Sequence, residues 1–468
     1  MNHNDLRNWS KRTADWAHEY HRDLRDRPVR AQTKPGATAA KLPKAAPEAP
    51  ESPEQIFADF EAIVPDAMTH WQHPRFFAYF PSNAAPASQW AEQLANTISA
   101  MCMLWQTSPA ATEIEQVMVA WMRQALGLPE NFTGTIHDSA TTATFSAVLT
   151  MRDRISDWES VHTGITHGPT MRIYASAHTH SSVDKAVRMA GIGQDNLVKV
   201  PTTDDYGMDP VALVSMIEED KRAGFAPSGL VLCTGGTSIG ACDPIAACLE
   251  VAEEYDLYTH VDAAWAGNAM ICREFRHLWW GVERADSVVM NPYKGLGAQF
   301  DGALQFLRDP APQIRSLGLR PDYLQTLGED DTTNFNEWTV PLGRRFRALK
   351  LWFVLRAYGL EALRGMIRNH VAWTAELCTA IRALPGFEIT SEPSLALFSF
   401  RYAPAGAKDL NALNADLLRR INDDGRIYLT QTMHEGKFVI RFTAGTFDCT
   451  REDVMSVLDV LSELSRKA

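Results

Sequence analysis

Between about residue 75 and residue 310, short apolar or β-branched runs alternate with longer stretches of helical periodicity. This alternation is typical of a sheet with helices on its faces, and it constrains the fold more than any other feature of the chain. Helices are expected between the strands, among them 181–190 and 245–255. The sequence therefore predicts an α/β domain with a mainly parallel sheet. The runs expected to form its strands are 171–175, 197–200, 229–233, 258–262, 287–290 and 303–307.

The two ends of the chain have different patterns. Apolar and aromatic residues recur at helical spacing near the start, which predicts an amphipathic helix, followed by a proline- and alanine-rich linker. Past Gly359 a helical stretch, strands at 395–400 and 437–442, and a final helix from Arg451 predict a small α+β domain. A chain of 468 residues exceeds what one core usually fills. We expect an N-terminal segment over 1–80, a large domain over 81–360 and a small domain over 361–468. The residues of the N-terminal apolar stripe are Leu6, Trp9, Trp16, Tyr20 and Leu24.

Charge and cysteine content exclude several classes of protein. The 45 basic and 57 acidic residues give a net charge of −12, which offers no footprint for nucleic acid or an anionic membrane. The first residues carry charges throughout, unlike a secretory signal, and no apolar run approaches the roughly 20 residues that span a bilayer. Seven cysteines without a Cys-x-x-Cys pair favour reduced thiols over disulfides or zinc. We expect a cytoplasmic protein.

Two residues suggest the chemistry. Asp262 ends an expected strand beside the small residues Ala263 and Ala264, and ligands of open α/β sheets bind at the carboxyl ends of strands. Lys294 lies in a turn after another expected strand. Alone, such an aspartate is more often a cap and such a lysine a surface residue. Together, a carboxylate for the pyridine nitrogen and an amine for the aldehyde indicate a site for pyridoxal 5'-phosphate (PLP).

A phosphate group requires backbone N–H groups at the start of a helix. The small and hydroxylated run 138–144 precedes a helical stretch and could hold a phosphate, although it could also be an ordinary helix cap. His180 follows another expected strand and could stack on a cofactor ring or be a hydrogen-bonded loop residue. With His178 it lacks further ligands at metal spacing, so no metal site is expected.

Several motifs in the same order resemble one family. They are His70-Trp-Gln-His-Pro-Arg-Phe-Phe-Ala-Tyr-Phe-Pro81, Thr107-Ser-Pro-Ala-Ala-Thr-Glu113, His180-Ser-Ser-Val183, His260-Val-Asp-Ala-Ala-Trp-Ala-Gly267, Asn291-Pro-Tyr-Lys294 and Pro341-Leu-Gly-Arg-Arg-Phe-Arg-Ala-Leu-Lys350. Over nearly its whole length the chain is similar to the group II PLP-dependent decarboxylases, and most similar to the aromatic-L-amino-acid (DOPA/tryptophan) decarboxylases.

The resemblance implies fold type I of the PLP enzymes and a homodimer whose N-terminal segments pack on the partner subunit. It makes Lys294 the Schiff-base lysine, Asp262 the partner of the ring nitrogen with support from Thr237, and His180 the stacking residue opposite Ala264. The residues implied for the phosphate are Ser139, Ala140, Thr141 and Asn291. Those implied for the pocket of an aromatic amino acid are Trp71, Tyr79, Phe80, Pro81 and Ser82, with Met101 and Met103 reaching it from the partner subunit.

The resemblance also bears on the product. Tyr323 matches the loop tyrosine that protonates Cα in the family, and relatives that form aldehydes typically lack this tyrosine or the stacking histidine. Both are present, which favours an amine product over an aromatic acetaldehyde; a PLP-fold binding protein without turnover is the third hypothesis. Gly343, where some relatives carry serine, favours larger aromatic substrates. The chain departs from the family at Tyr293 and Gly295, where most relatives have histidine and tryptophan, so the packing around Lys294 must differ.

Overall fold

The computed structural model describes residues 1–165, 168–319 and 332–466. The chain divides into two compact units. Unit 1 comprises Met1–Pro81, Ala372–Glu392 and Phe398–Ala468, and unit 2 comprises Ser82–Val371 and Pro393–Leu397. No helix among the described residues is long and apolar enough to cross a membrane. The three-part division expected from the sequence stays a prediction.

Unit 2 is built on a seven-stranded sheet of order β1-β7-β6-β5-β4-β2-β3. Neighbouring strands pair in parallel along the series β3-β2-β4-β5-β6, whereas β7 pairs antiparallel with both of its neighbours, β6 and β1. β7 therefore runs opposite to the other six strands. The expected mainly parallel sheet is therefore confirmed. Its strands are β1 (Thr133–His137), β2 (Met171–Ser176), β3 (Leu197–Val200), β4 (Ala226–Cys233), β5 (Tyr258–Asp262), β6 (Ser287–Met290) and β7 (Ala303–Leu307).

Helices cover this sheet, and several begin where the sequence provides a start signal. Proline occupies the first helical position of α3, α4 and α8, where its missing N–H costs nothing. Ser139 caps α5 by accepting a hydrogen bond from the N–H of Thr142. The helices are α3 (Pro86–Ile98), α4 (Pro109–Leu126), α5 (Ala140–Arg154), α6 (Ser160–Thr163), α7 (Ser181–Met189), α8 (Pro210–Arg222), α9 (Ile245–Glu254) and α10 (Ala311–Leu317). Next comes α11 (Ala348–Arg382), which is interrupted at Gly359, where φ is +71°.

Unit 1 contains the expected N-terminal helix, α1 (His3–Arg22), followed by α2 (Pro53–Ile63). The aromatic stripe of α1 packs partly against α2, with ring centroids 5.5 Å apart for Trp9 and Phe57 and 4.9 Å apart for Trp16 and Phe60. No residue of α1 is fully buried within the chain. The C-terminal sheet has the order β10-β11-β9-β8. Its strands are β8 (Phe387–Ser394), β9 (Leu397–Tyr402), β10 (Thr430–His434) and β11 (Lys437–Thr443), accompanied by α12 (Leu410–Asp424) and α13 (Arg451–Ser465).

Candidate active site

The carboxyl ends of five strands lie at one edge of the large sheet. Because β1, β2, β4, β5 and β6 run in the same direction, the residues that follow them emerge at the same edge. These residues include all nine cofactor positions expected from the sequence. Ser139 to Thr141 follow β1, His180 follows β2, Thr237 follows β4, Asp262 and Ala264 lie at the end of β5, and Asn291 and Lys294 follow β6.

Asp262 is the last residue of β5 and is buried, with 8% of its surface exposed. Its Oδ1 accepts a hydrogen bond of 3.0 Å from the N–H of Ala264. The carbonyl of Ala264 in turn accepts one of 2.9 Å from the N–H of Asn291. The backbone therefore joins the aspartate turn to the lysine loop. The carbonyl of Asp262 also accepts from the N–H of Thr234, while the support of its carboxylate by Thr237 stays a prediction.

Lys294 lies in the loop that joins β6 to β7, residues 291–302, at the end of a short 3-10 turn (Pro292–Lys294). Three hydrogen bonds hold this loop to the segment before and at the start of α3. They run from the N–H of Asn83 to the carbonyl of Tyr293 (2.9 Å), from the N–H of Ala85 to the carbonyl of Gly297 (2.9 Å), and from the N–H of Gln299 to Oγ of Ser88 (2.6 Å).

Burial lowers the pKa of the Lys294 amine, and the Asp262 carboxylate acts in the opposite direction. The net effect favours the neutral amine, which is the form that attacks an aldehyde. The role of Lys294 as the Schiff-base lysine stays a prediction.

His180 precedes α7 and caps it. Its Nδ1 accepts a 3.1 Å hydrogen bond from the N–H of Ser182, so the neutral ring carries its proton on Nε2. Burial by the surrounding protein is the main cause that lowers the pKa of His180, although part of the side chain faces solvent; Asp262 raises this pKa and Lys294 lowers it. These interactions place His180, Asp262 and Lys294 within electrostatic reach of one another.

The start of α5 offers donors for an anion. The first-turn N–H groups of Ala140 and Thr141 have no acceptor inside the helix. Ser139 provides a hydroxyl, 3.0 Å from that of Thr142. The helix dipole adds positive potential here, as a phosphate group requires. This donor set fits the phosphate of PLP.

Asn291 gives a further test of that fit. Its Nδ2 donates to the hydroxyl of Tyr293 at 2.8 Å, whereas its buried Oδ1 has no hydrogen-bond partner among the described residues. A tyrosine hydroxyl can donate as well as accept, so turning the amide over preserves this bond. The turned amide would place Nδ2, a donor, where the buried Oδ1 now lies, and a donor is what the predicted phosphate role of Asn291 requires. Tyr293, one of the departures from the family, thereby orients Asn291.

Gly295, the other departure, is explained by Asn268. A Cβ at position 295 would lie 2.7 Å from Cβ of Asn268 and 2.9 Å from its Cγ. Asn268 donates from Nδ2 to the carbonyl of Trp265 (2.9 Å) and to that of Asn291 (3.0 Å). Asn268, like Ala264, therefore joins the segment after β5 to the lysine loop after β6. The space left by a small residue at 295 is filled by this asparagine.

The aromatic residues expected in the substrate pocket form a cluster within unit 1. The rings of Trp71 and Tyr79 stack with centroids 5.8 Å apart, and Tyr79 has a positive φ of 49°. Both side chains are exposed, whereas Phe80 is buried beneath the guanidinium of Arg441, 5.4 Å from its ring centroid. Pro81 is the last residue of this segment of the unit.

The other expected pocket residues belong to unit 2. Ser82 directly precedes Asn83, which bonds the lysine loop. Met101 contacts Gly343, since a Cβ on that glycine would lie 3.4 Å from the methionine Sδ. Met103 accepts a hydrogen bond from the N–H of Asn336. Tyr323 lies outside the described residues.

Sequence reasoning missed one set of residues at this site. His260 is part of a quoted motif but was given no role. It is fully buried and hydrogen-bonded to Ser287 and Thr144. The sequence does contain one indication that His260 belongs to the site. It lies two residues before Asp262 on the same strand, which puts both side chains on one face of the sheet.

A lysine with a lowered pKa, a buried aspartate and a helix start with phosphate donors, all at the carboxyl edge of a mainly parallel sheet, define a PLP-dependent enzyme of fold type I. Residues 35–403 match the family model described as the pyridoxal-dependent decarboxylase conserved domain. The chain belongs to this family of carboxy-lyases, whose cofactor is PLP.

Three comparisons give the degree of similarity. The chain is 35% identical to L-tyrosine/L-DOPA decarboxylase 2 of Lophophora williamsii, over 92% of this chain and 88% of that protein. It is 36% identical to phenylacetaldehyde synthase of Arabidopsis thaliana, over 95% of this chain and 92% of that one. A crystal structure of Oryza sativa TDC with PLP and tryptamine superposes with a TM-score of 0.96 at 32% identity, covering 100% of this chain and 99% of the other. The expected fold class and cofactor are thereby confirmed.

Proposed function

We propose that this protein converts an aromatic L-amino acid to the corresponding amine and carbon dioxide. The observation that carries the proposal is the grouping of Lys294, Asp262 and His180 at the carboxyl edge of the sheet, within electrostatic reach of one another. The relatives named as tyrosine/DOPA decarboxylase and phenylacetaldehyde synthase support an aromatic substrate.

Each of the three residues has a role that its surroundings support. Burial favours the neutral form of the Lys294 amine, which would hold the aldehyde end of the cofactor. The Asp262 carboxylate would accept a hydrogen bond from the pyridine nitrogen and keep it protonated. Bound PLP supplies an electron sink for the pair left when the bond from Cα to the carboxylate breaks. The flat, neutral imidazole of His180 would pack on one face of the ring and Ala264 on the other.

The reaction is completed by a proton at Cα. Loss of carbon dioxide leaves an electron pair on this carbon, and one proton gives the amine. We propose that Tyr323 delivers it, because its sequence context matches the tyrosine that performs this step in the family. The presence of both Tyr323 and His180 supports an amine product rather than an aldehyde.

We propose that Trp71, Tyr79, Phe80, Pro81 and Ser82 line one side of the substrate pocket. Exposed, stacked rings such as those of Trp71 and Tyr79 suit an aromatic side chain. Met101 and Met103 would line the other side from the partner subunit. Since Met101 contacts Gly343 in the same chain, the partner would also contribute Gly343, and a glycine there leaves room for a large ring.

We further propose a cytoplasmic homodimer. The part of the apolar stripe that lies on α1 (Leu6, Trp9, Trp16 and Tyr20) has no fully buried residue within one chain, which supports burial against a partner. All seven cysteines are free thiols, which suits a reducing compartment. Sedimentation of the purified protein should give twice the mass of the chain, and a monomer at micromolar concentration would contradict this part of the proposal.

One experiment tests the reaction. The protein is incubated with phenylalanine, tyrosine, DOPA, tryptophan, histidine and glutamate, and carbon dioxide, amine, aldehyde and peroxide are measured. We expect amine and carbon dioxide in equal amounts from at least one aromatic substrate. The 36% identity to phenylacetaldehyde synthase makes aldehyde formation the second candidate, and peroxide equal to carbon dioxide would establish it instead.

A further inference from the structure

A chain of buried side-chain hydrogen bonds crosses unit 2 beneath the candidate site. Nε2 of His137 lies 2.7 Å from Oε1 of Gln305, whose Nε2 donates to Oγ of Ser287 at 2.9 Å. Nδ1 of His260 lies 2.8 Å from that hydroxyl, and its Nε2 lies 3.2 Å from Oγ1 of Thr144. All five residues are buried, with at most 2% of their surface exposed.

The amide of Gln305 has a fixed orientation in these hydrogen bonds. Gln313 donates to the carbonyl of Trp338 at 2.8 Å and to Oε1 of Gln305 at 2.9 Å, and it accepts from Nε2 of Gln305 at 2.9 Å. Nε2 of Gln305 also donates to Ser287. Because a serine or threonine hydroxyl can both donate and accept, the ring of His260 is held between the hydroxyls of Ser287 and Thr144 in either tautomer. Burial lowers the pKa of both His137 and His260 to about 4, so both rings are neutral near pH 7.

The two ends of this series of hydrogen bonds, His137 and Thr144, lie close together in the sequence. His137 directly precedes Asp138 and Ser139, and Thr144 is the fifth residue of α5. The turn from 138 to 141, which carries the donors expected to hold the phosphate, thus lies between His137 and Thr144, the two ends of the hydrogen-bonded series. His260 also shares a strand face with Asp262 two residues later. His260 is therefore linked to the expected phosphate site through Thr144 and to Asp262 through the backbone of β5.

This arrangement has a consequence for a rigid ligand. The phosphate and the pyridine nitrogen of PLP lie at opposite ends of one molecule, and both must meet their partners at once. A ligand that spans two sites gains affinity only when the sites are held at the right separation. Alanines at the interface of α5 with β6 and β7 (Ala140, Ala143, Ala303) pack with Val289, and larger side chains further along α5, such as Val148 and Met151, pack in a second apolar cluster. The hydrogen bond between Thr144 and His260 adds a directional restraint near the start of the helix.

We propose that His260 is a positioning residue that, through Thr144, sets the start of α5 at the distance from Asp262 that PLP requires. The proposal rests on the proposed assignment of the phosphate to residues 139–141 and of the pyridine nitrogen to Asp262. It assigns His260 no contact with substrate or cofactor.

The test is Thr144→Val, which removes the hydroxyl with little change in shape. The matched control is Thr150→Val, because Thr150 is also buried in α5 and its hydroxyl donates within the helix, to the carbonyl of Ser146. Binding of PLP, pyridoxal and inorganic phosphate to the PLP-free protein is measured by calorimetry. For Thr144→Val we expect PLP to bind about tenfold more weakly, as for loss of one hydrogen bond. Pyridoxal and phosphate, which each engage one end, should bind as in the wild type.

Thr144→Ser, which restores a hydroxyl, should recover PLP affinity, and Thr150→Val should keep it. Unchanged PLP affinity in Thr144→Val would overturn the proposal, and so would an equal loss for phosphate alone, which would mean that the turn itself had collapsed. Either failure leaves the proposed function standing if the wild-type protein decarboxylates its substrate. Absence of decarboxylation by a wild-type protein that binds PLP would instead contradict the proposed function alone.

Discussion

At the scale of single residues, the candidate site contains the amine of Lys294, whose pKa is lowered by burial. Replacement of Lys294 by alanine should abolish the visible absorbance of bound cofactor and reduce decarboxylation by several orders of magnitude, because no other amine takes its place at the end of β6. Absorbance spectra and mass spectrometry after borohydride reduction measure both effects. Lys221→Ala, on the exposed end of α8, is the control and should retain full activity. Cofactor trapped covalently on the Lys294→Ala protein would refute the assignment.

The fit between Gly295 and Asn268 leads to a second prediction. Gly295→Ala should lower the free energy of unfolding by about 1–3 kcal/mol, because the new Cβ would lie 2.7 Å from that of Asn268. The shift of the lysine loop should also reduce activity. Denaturant unfolding and steady-state kinetics measure the two effects.

The matched control for Gly295→Ala is Gly365→Ala. It lies in α11 with nothing within 4 Å of an added Cβ, and alanine there should be neutral or stabilise by up to about 1 kcal/mol. Equal stability of the two variants would show that Asn268 does not occupy the space at 295 as described.

The positions of the candidate site residues in the fold could be predicted from the sequence where the signal is local. Lys294, Asp262 and His180 each follow an apolar run that forms a strand, and the carboxyl edge of the sheet brings them together. The hydrogen bonds from His260 to Ser287 and Thr144 could not be predicted, since they join residues that are far apart in the chain and depend on how α5 packs on the sheet. The role of Asn268 was missed for the same reason.

At the scale of elements, a buried ion pair joins α4 to Arg344, which precedes α11 and also donates to the carbonyl of Ile136 in β1. Nη2 of Arg344 lies 2.5 Å from Oε1 of Glu115, and this oxygen also accepts from the N–H of Ile136 at 2.8 Å. Glu115→Leu should destabilise the protein by about 3–5 kcal/mol, because it leaves a buried guanidinium uncompensated. The free energy of unfolding in denaturant measures this.

The control for Glu115→Leu is Glu392→Leu, which removes the exposed partner of Arg382. An exposed pair contributes about 0–1 kcal/mol, so this variant should be nearly as stable as the wild type. An equally small loss of unfolding free energy in Glu115→Leu would mean that the buried ion pair contributes no more to stability than an exposed one.

Most elements of the large sheet match the sequence prediction. Strands β3, β5, β6 and β7 have the expected bounds, and β2 and β4 are longer than expected. β1 was not predicted, because Thr133-Gly-Thr-Ile-His137 contains a single large apolar residue and gains its stability from pairing with β7. β8 and β10 were missed in the same way, since β8 contains Pro393 and both are rich in polar residues.

At the scale of the whole molecule, buried histidines should make stability depend on pH. Burial lowers the pKa of His137, His260 and His370 to about 4 and that of His73 to about 3. In the unfolded chain these groups titrate near 6.5, so between about pH 6.5 and 4 the unfolded state binds more protons than the native state. The stability they contribute is fully present above pH 6.5 and is lost as the pH falls toward 4.

Each such histidine should contribute a slope of about 1.4 kcal/mol per pH unit within this window. Denaturant unfolding of the PLP-free protein at pH 7.5, 6.5 and 5.5, at one protein concentration, measures the sum. His370→Gln should have a smaller slope than the wild type. Equal stability at pH 7.5 and pH 5.5 would contradict the prediction.

The reversed direction of β7 gives the lysine loop a particular constraint. A parallel crossover would leave through a helix on one face of the sheet, whereas residues 291–302 return directly to an adjacent antiparallel strand. Both ends of the loop are thus tied to the sheet, and three further hydrogen bonds attach its middle to residues 83–88. The backbone at Lys294 therefore has little freedom to move. Its amine can change position only by rotation of its own four-carbon side chain, so it would stay close to any group held at the carboxyl ends of β5 and β6.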